Sequence, residues 1–317
     1  MCGVPLSEST MWERSEALAD AGLGVFLRLR RLAADGEVIY ADDTGIKILS
    51  CLKEDRGKKK GERRATQTSV MVVECGAQKI AIYASGRRHA GENVDELLQN
   101  RSAGLNKPTQ MSDALAVNWG GEEERVCAKC LVHARRQVFE LVEMYPAECQ
   151  VVLDAVSKVY EFEAQTVGMN ADERLAYHQQ QSGPVMEDLK EWIEKQFREH
   201  LVEPNSNLGK ALQYWRNHWK ELTTFLSVAG TPLDNNPAER SLKPVVLLRK
   251  NSLFYKTEHG TSVGDILASL IETCRLNGVN AWDYLVTIRR SKSEARRHPE
   301  LFLPWNYPGD ESEARAA

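Results

Sequence analysis

The first third of the chain alternates apolar and polar positions in the manner of strands. Val38-Ile39-Tyr40 and Ile46-Lys47-Ile48-Leu49 bracket Ala41-Asp42-Asp43-Thr44. Thr68-Ser69-Val70-Met71-Val72-Val73 and Lys79-Ile80-Ala81-Ile82-Tyr83 follow, with Gly76 between them. Two runs rich in β-branched and apolar residues, joined through a glycine, predict a hairpin. Glu92 to Gln99 reads as a short helix. Pro108 to Asp113 reads as a strand ending on a carboxylate, and Val126 to Val132 as a further strand. From about residue 136 the period becomes helical. Val151, Val152, Ala155, Val156, Val159 and Tyr160 form one stripe; Met186, Leu189, Ile193 and Phe197 a second; Leu208, Leu212, Trp215, Trp219, Leu222 and Leu226 a third. The tryptophans among them, Trp192 included, read as core. Pro204-Asn205-Ser206 separates two helices, and Gly230-Thr231-Pro232 closes the block. In Asp234-Asn235-Asn236-Pro237-Ala238-Glu239-Arg240 a new helix is expected, with Asn236 as N-cap, Pro237 at the first helical position, and Pro244 limiting it. Val263, Ile266, Leu267, Leu270, Ile271 and Cys274 give an amphipathic helix that Asn277-Gly278 stops. The tail after Pro304 is expected to be disordered.

Charge sharpens this division. The 317 residues carry a formal net charge of -4, which by itself argues against a generic polyanion binder. The average hides segregation. Residues 56–64 hold six bases and one acid, residues 125–136 four bases and no acid, and residues 237–256 five bases and one acid. The helical block at 140–203 holds 14 acids and 5 bases. The Gly-flanked run at 56–64 reads as a mobile loop. No apolar run is long enough to span a membrane, and the N-terminus lacks the pattern of a secretory signal. Seven scattered cysteines in a chain of this size fit a reducing cytosol better than a disulfide framework.

Several groups could carry chemistry. Asp42, Asp113 and Glu239 sit at a strand, a strand end and a first helical turn, where a two-metal phosphoryl-transfer site could draw its hard oxygen ligands. Each also has a plain structural reading, as a turn residue or a helix-terminus carboxylate. Cys127, Cys130 and His133 have metal-like spacing, but a structural zinc usually takes four ligands, and a strand would turn the two cysteines to opposite faces. His133, Arg135 and Arg136 could meet phosphate. Leu248-Arg249-Lys250-Asn251-Ser252-Leu253-Phe254 could grip a phosphate or stack on a base, or be a surface loop.

The motifs together are more specific than any one of them. Ala41-Asp42-Asp43-Thr44, Cys130-Leu-Val-His133-Ala-Arg135-Arg136-Gln-Val-Phe139, Asp234-Asn-Asn-Pro-Ala-Glu239-Arg240, Arg249-Lys250-Asn251 with Phe254, and Ile271-Glu-Thr-Cys-Arg-Leu-Asn277-Gly278 occur in this order. The chain resembles the insertion sequence 66 family of bacterial transposases over roughly residues 3 to 290, with Gly3-Val4-Pro5-Leu6-Ser7 and Met11-Trp12 resembling the segment before its catalytic domain. The resemblance implies an α/β, ribonuclease-H-like mixed sheet with a mainly α-helical insertion. It divides the chain into an N-terminal helical remnant (1–35), a core in two parts (36–135 and 231–290), the insertion (136–230) and a C-terminal tail (291–317). It implies a catalytic set of Asp42, Asp113 and Glu239 binding two Mg²⁺ ions, or Mn²⁺, for DNA cleavage and strand transfer. His133, Arg135, Arg136, Arg240, Arg249, Lys250 and Asn251 would contact DNA. The expected partners are transposon ends and target DNA, further copies of the chain assembled on DNA, and accessory element-encoded proteins. The expected location is the bacterial cytoplasm, at the nucleoid. Three departures stand out. Only about 40 residues precede Asp42, so terminal-repeat recognition is expected to be lost or supplied by another chain. Asp113-Ala114-Leu115 replaces the usual Asp-Gly-Tyr, and Asp43 replaces the usual Glu. The alternative is a DNA-binding or regulatory remnant without catalysis.

Overall fold

Most helices and strands form where the hydrophobic period puts them. In the computed structural model, which describes residues 6–59, 61–121 and 123–307, the chain runs α1 (Glu8–Ala34), β1 (Val38–Gly45), α2 (Leu49–Glu54), β2 (Gln67–Cys75), β3 (Gln78–Gly86), α3 (Ala90–Leu98), β4 (Thr109–Ser112), β5 (Val126–Lys129), α4 (Leu131–Phe139), α5 (Pro146–Ala164), α6 (Ala171–Arg198), α7 (Asn207–Asn217), α8 (Trp219–Leu222), α9 (Asn236–Asn251), α10 (Glu258–Leu276), α11 (Ala281–Arg290) and α12 (Lys292–Arg297). The class is mixed α/β. The chain divides into two units. The first comprises Met1–Pro108, Val117–Glu124 and Pro237–Ala317; the second comprises Thr109–Ala116 and Arg125–Asn236.

In the first unit, β1, β2 and β3 form antiparallel pairs. The hairpin turns at Gly76, whose φ of +58° suits glycine at the first central position of a two-residue turn. Cross-strand rows divide the two faces. Ile39, Val73 and Ile80 share one row and Ala41, Met71 and Ile82 the next. All six are buried against Val25, Phe26 and Leu29 of α1, Leu270 and Cys274 of α10, and Tyr284 and Ile288 of α11. The expected N-terminal remnant is therefore a core element. Ser7 caps α1 by accepting the Thr10 N–H (3.2 Å); Gly3, Val4 and Pro5 lie outside the described residues.

The exposed edge of β3 is closed by a polar ladder on α10. Asn277, Thr273, Ser269 and Asp265 accept the backbone N–H groups of Lys79, Ala81, Tyr83 and Ser85, at 2.7 to 3.2 Å. The spacing explains why this works. Four helical residues rise about 6 Å and two strand residues about 6.6 Å, so an i, i+4 stripe keeps step with alternate strand amides. An edge strand would otherwise offer those donors to another chain.

Burial pushes the Asp265 carboxyl up to about 6, with the Ser85 hydroxyl and N–H acting the other way. The sign of its linkage to stability follows. The folded value lies above the unfolded one, so ionisation costs stability, and that cost is fully present above pH 6 and fades as pH falls through 6 toward 4. Asp265→Asn is expected to remove this slope and to stabilise the chain above pH 7 by about 1–3 kcal/mol. Urea unfolding of both proteins between about pH 5 and 8 checks it; parallel pH profiles would contradict it.

In the second unit β4 and β5 pair in parallel. Val152, Val156 and Val159 of α5, Met186, Leu189 and Ile193 of α6, and Leu208, Leu212 and Trp215 of α7 form one buried core with Leu131, Ala134 and Val138 of α4. The α5–α6 pair is pinned by polar bonds: Arg174 forks onto Glu163 (2.9 and 3.0 Å), and His178 bridges Glu163 (2.7 Å) to Ser182 (2.8 Å). Ser182, His178 and Glu163 copy the order of a hydrolytic triad. His178 and Ser182 are fully buried, however, so no substrate reaches them and the arrangement is structural.

Five expectations change. The pattern at 46–49 does not make a strand: β1 continues through Gly45, Ile48 forms one parallel bridge to Tyr255, and α2 starts at Leu49. The run at 126–132 is a strand only to Lys129, because Leu131 turns into the helical core and starts α4. The third helical stripe breaks at His218 into α7 and α8. α9 runs through Pro244 to Asn251, giving up that residue's N–H bond, so Arg249, Lys250 and Asn251 lie in a last helical turn rather than a loop. Finally, Ala295, Leu303 and Pro304 are buried and Trp305 and Tyr307 pack on the first unit's core. The chain is thus ordered through Tyr307; the rest of the expected disordered tail lies outside the described residues. In the basic run at 56–64, Lys58 pairs with Asp55 (2.9 Å) and Arg63 with Glu92 (2.6 Å), while Lys60 lies outside the described residues.

Candidate active site

Asp42 stands on β1 in one cross-strand row with Val70 and Tyr83. The period of two puts this row on the face opposite Ala41, Met71 and Ile82. The Tyr83 hydroxyl donates to the Ser241 carbonyl of α9. Burial raises the pKa of that hydroxyl, which keeps it a donor. Ser241 lies two residues beyond Glu239. Its own hydroxyl donates to Glu272 of α10 (2.6 Å), which is paired with Arg275. At the other end of α9, the Arg249 guanidinium donates to Thr44 Oγ1 (3.1 Å) and to the Gly45 carbonyl. The helix of Glu239 is therefore tied at both ends to the sheet that carries Asp42, on the side of the Asp42 row. Both carboxylates are half-buried.

The adjacent aspartates have separate tasks. Asp42 Oδ1 accepts the Asp43 N–H (2.8 Å). Asp43 points to the other face, where Oδ2 contacts His89 Nδ1 (3.0 Å) and accepts the Ala90 N–H (3.2 Å) at the start of α3. Asp43 is thus an anchor for α3.

Asp113 belongs to the second unit, directly after β4. Its Oδ1 accepts the Leu115 N–H (3.1 Å), the local turn that a strand-end aspartate favours. The same unit holds Asp234 of the Asp-Asn-Asn-Pro segment. Asp234 receives the Tyr160 hydroxyl (3.1 Å) and the Asn236 N–H (3.0 Å). The helix begins at Asn236 itself, so Asn236 is its first residue rather than its N-cap.

The basic candidates separate by environment. Arg125 is turned inward onto Gln110 (2.8 Å), and Lys129 onto His218 (2.8 Å). Burial and the Lys129 charge lower the His218 pKa, so the ring is the neutral acceptor of that bond. Arg136, Arg240, Lys250 and Asn251 are exposed, while His133, Arg135 and Arg249 are half-buried. Arg135 lies over the Phe139 ring, 5.1 Å from its centroid.

Cys127 is exposed on β5 and Cys130 buried ahead of α4. Burial pushes the Cys130 thiol up to about 11, against the Asn235, His133 and Val132 amides that act the other way. Among the described residues no cluster of three ligand-bearing side chains includes Cys127, which is exposed on β5 while Cys130 is buried.

The sequence reading missed Tyr83 and the polar ladder of α10. The ladder had a signal: Asp265, Ser269, Thr273 and Asn277 repeat every four residues beside the apolar stripe. Tyr83 had none, since its role depends on a partner 158 residues away.

Comparison with known proteins agrees with the motifs. The sequence profile described as "Transposase IS66 family" matches residues 1–263. An uncharacterized Sinorhizobium fredii protein, y4jD, is 33% identical over 188 residues, covering 58% of this chain and 36% of the relative. A second, y4hP, is 27% identical over 328 residues, covering 96% of this chain and 57% of the relative. The chain therefore spans between about a third and three fifths of the length of the curated relatives it matches. Among the described residues no helix is long and apolar enough to cross a membrane. With the profile matched over most of its length, the chain belongs to the IS66 family of transposases.

Proposed function

We propose that the chain is the catalytic core of a transposase, with a ribonuclease-H-like fold, that cleaves DNA at the ends of an insertion sequence and joins them to a target. The observation that carries this reading is the placement of Asp42 and Glu239 on elements tied to one face of the antiparallel strands β1, β2 and β3, in a chain of transposase family. Asp113 is the third member of the set. Three carboxylates offer only hard oxygen donors, and that donor set suits Mg²⁺ or Mn²⁺ rather than a thiophilic metal. A pair of such ions, when bound, supplies Lewis-acid activation of the attacking oxygen and stabilisation of the leaving oxygen.

The chain's own residues do the rest. Asp42, Asp113 and Glu239 hold the metals. Tyr83 and Arg249 fix α9, so that Glu239 keeps its position while charge moves along the scissile phosphodiester. Arg136, exposed on α4, and Arg240, Lys250 and Asn251, exposed on α9, meet the DNA backbone, with His133 and Arg135 joining Arg136 on α4. Further copies of the chain on DNA and accessory element-encoded proteins complete the proposed assembly, in the bacterial cytoplasm.

The test is nicking by the full chain of DNA that carries the element's ends. Cleavage is expected to require Mg²⁺ or Mn²⁺. Asp113→Ala is expected to lower it by more than about a hundredfold, because even partners that only orient a metal ligand are worth 10- to 100-fold. Undiminished cleavage by Asp113→Ala would remove Asp113 from the set. Salt-sensitive DNA binding with no cleavage in either metal would make the chain a regulatory remnant instead.

A further inference from the structure

The first unit contains a groove of about 910 Å³, bounded by the start of α1, the end of α9 and the start of α10. We propose that this groove holds an unpaired nucleobase of single-stranded DNA together with its phosphate. The proposal deepens the transposase reading, on which it relies for DNA as the ligand.

Three observations carry it. First, the groove presents aromatic faces to solvent. Trp12 is 40% exposed and Phe254 46% exposed. Trp12 is held in place by an edge contact with the His259 ring (5.9 Å between centroids), and His259 is itself bonded to Glu16 (2.6 Å). A fixed indole and a second exposed ring lining the same groove offer stacking surfaces, and every base has a face to stack. Second, the charge is wrong for an apolar protein segment and right for a nucleotide. Lys47, Arg249 and Lys256 line the groove against one acid, Glu8, in a chain whose net charge is negative. Apolar walls with a cationic rim match a base joined to a phosphate. Third, the groove adjoins the proposed chemistry. Arg249 lines it and also bonds Thr44 and Gly45 at the end of β1. Thr44 is two residues from Asp42, roughly 7 Å along the strand. The volume lies within the range of small-ligand sites, about 300–1,000 Å³.

The experiment compares two end-labelled oligomers of equal length and charge, an oligodeoxythymidine and its fully abasic counterpart. Binding to the full chain is read by fluorescence anisotropy in excess chelator. The abasic oligomer is expected to bind at least about fivefold more weakly, the lower limit for one base stacked on an aromatic ring. Trp12→Ala and Phe254→Ala are each expected to shrink that difference to below about twofold, and Trp12→Phe, which keeps an aromatic face, to restore it. Equal binding of the two oligomers by the unmodified chain overturns the proposal; it is the result for a groove that receives an apolar protein segment. A difference that survives in both alanine variants overturns it too. The chelator separates this outcome from the catalytic one. Base-dependent binding without cleavage in Mg²⁺ would remove the transposase activity and leave the groove assignment standing, and cleavage without base dependence would do the reverse.

Discussion

Asp42→Asn is expected to lower divalent-dependent DNA cleavage by more than about a hundredfold, while Asp43→Asn leaves cleavage in place and lowers stability. The two residues are adjacent, so the contrast tests which face of β1 carries the chemistry. Asp42 shares its face with Val70 and Tyr83, and Tyr83 holds the helix of Glu239. Asparagine is nearly isosteric but brings no charge to a divalent ion, so the loss should exceed the 10- to 100-fold typical of groups that only orient a metal ligand. Glu239→Gln should behave in the same way. Asp43 faces His89 and the Ala90 N–H. Its amide can still accept one of those bonds, so Asp43→Asn should cost about 1.5–3 kcal/mol, the worth of a hydrogen bond made by a charged group. A plasmid-nicking assay read beside urea unfolding separates the effects. Equal loss of cleavage in both variants would mean that the face assignment is wrong.

Trp215→Ala is expected to destabilise the second unit by about 3–5 kcal/mol, a large share of the stability of an ordinary domain. Trp215 is the largest fully buried side chain among the described residues and sits in one core with Leu131, Val156 and Ile193. Truncation leaves a cavity that four helices must close around, and close-packed helices relax only partly. Trp215→Phe should cost much less. Among the described residues the buried indole N–H has no hydrogen-bond partner, so phenylalanine loses contact area and at the same time removes an unsatisfied donor. Thermal unfolding of the two variants checks the order. An alanine variant as stable as the phenylalanine one would show that this core is not close-packed around residue 215.

Much of the local structure was legible because each element depends on its own period. Val152, Val156 and Val159 face the core whichever helices surround them, and Gly76 and Gly278 mark turns with φ values of +58° and +70°. The errors fall where a distant partner overrides a short pattern. Ile46 to Leu49 alternates like a strand, but Ile46 is bonded to Thr66 and Ile48 to Tyr255, so the chain leaves the sheet there. Leu131 and Val132 extend an apolar strand pattern, yet Leu131 donates to the Leu233 carbonyl and begins a helix. Pro244 predicts a helix end, but Tyr83 and Arg249 anchor α9 on both sides of it. The tail from Lys292 to Tyr307 lacks a long apolar stripe, but Ala295 and Leu303 find their partners on α1 and α10.

The candidate site divides in the same way. The motifs that carry Asp42, Asp113 and Glu239 are contiguous, so the sequence alone supplied the residues and the family. It also supplied the segregation of charge behind the near-neutral total. Only the tertiary structure decided that Asp42 and Asp43 serve opposite faces, that α10 closes the β3 edge with a four-residue polar ladder, and that Trp12 and Phe254 line one groove. The physical reason is separation along the chain. Periodicity, turn preference and composition act over a few residues, whereas these arrangements join groups about 50 to 240 residues apart and exist only once the core has folded between them.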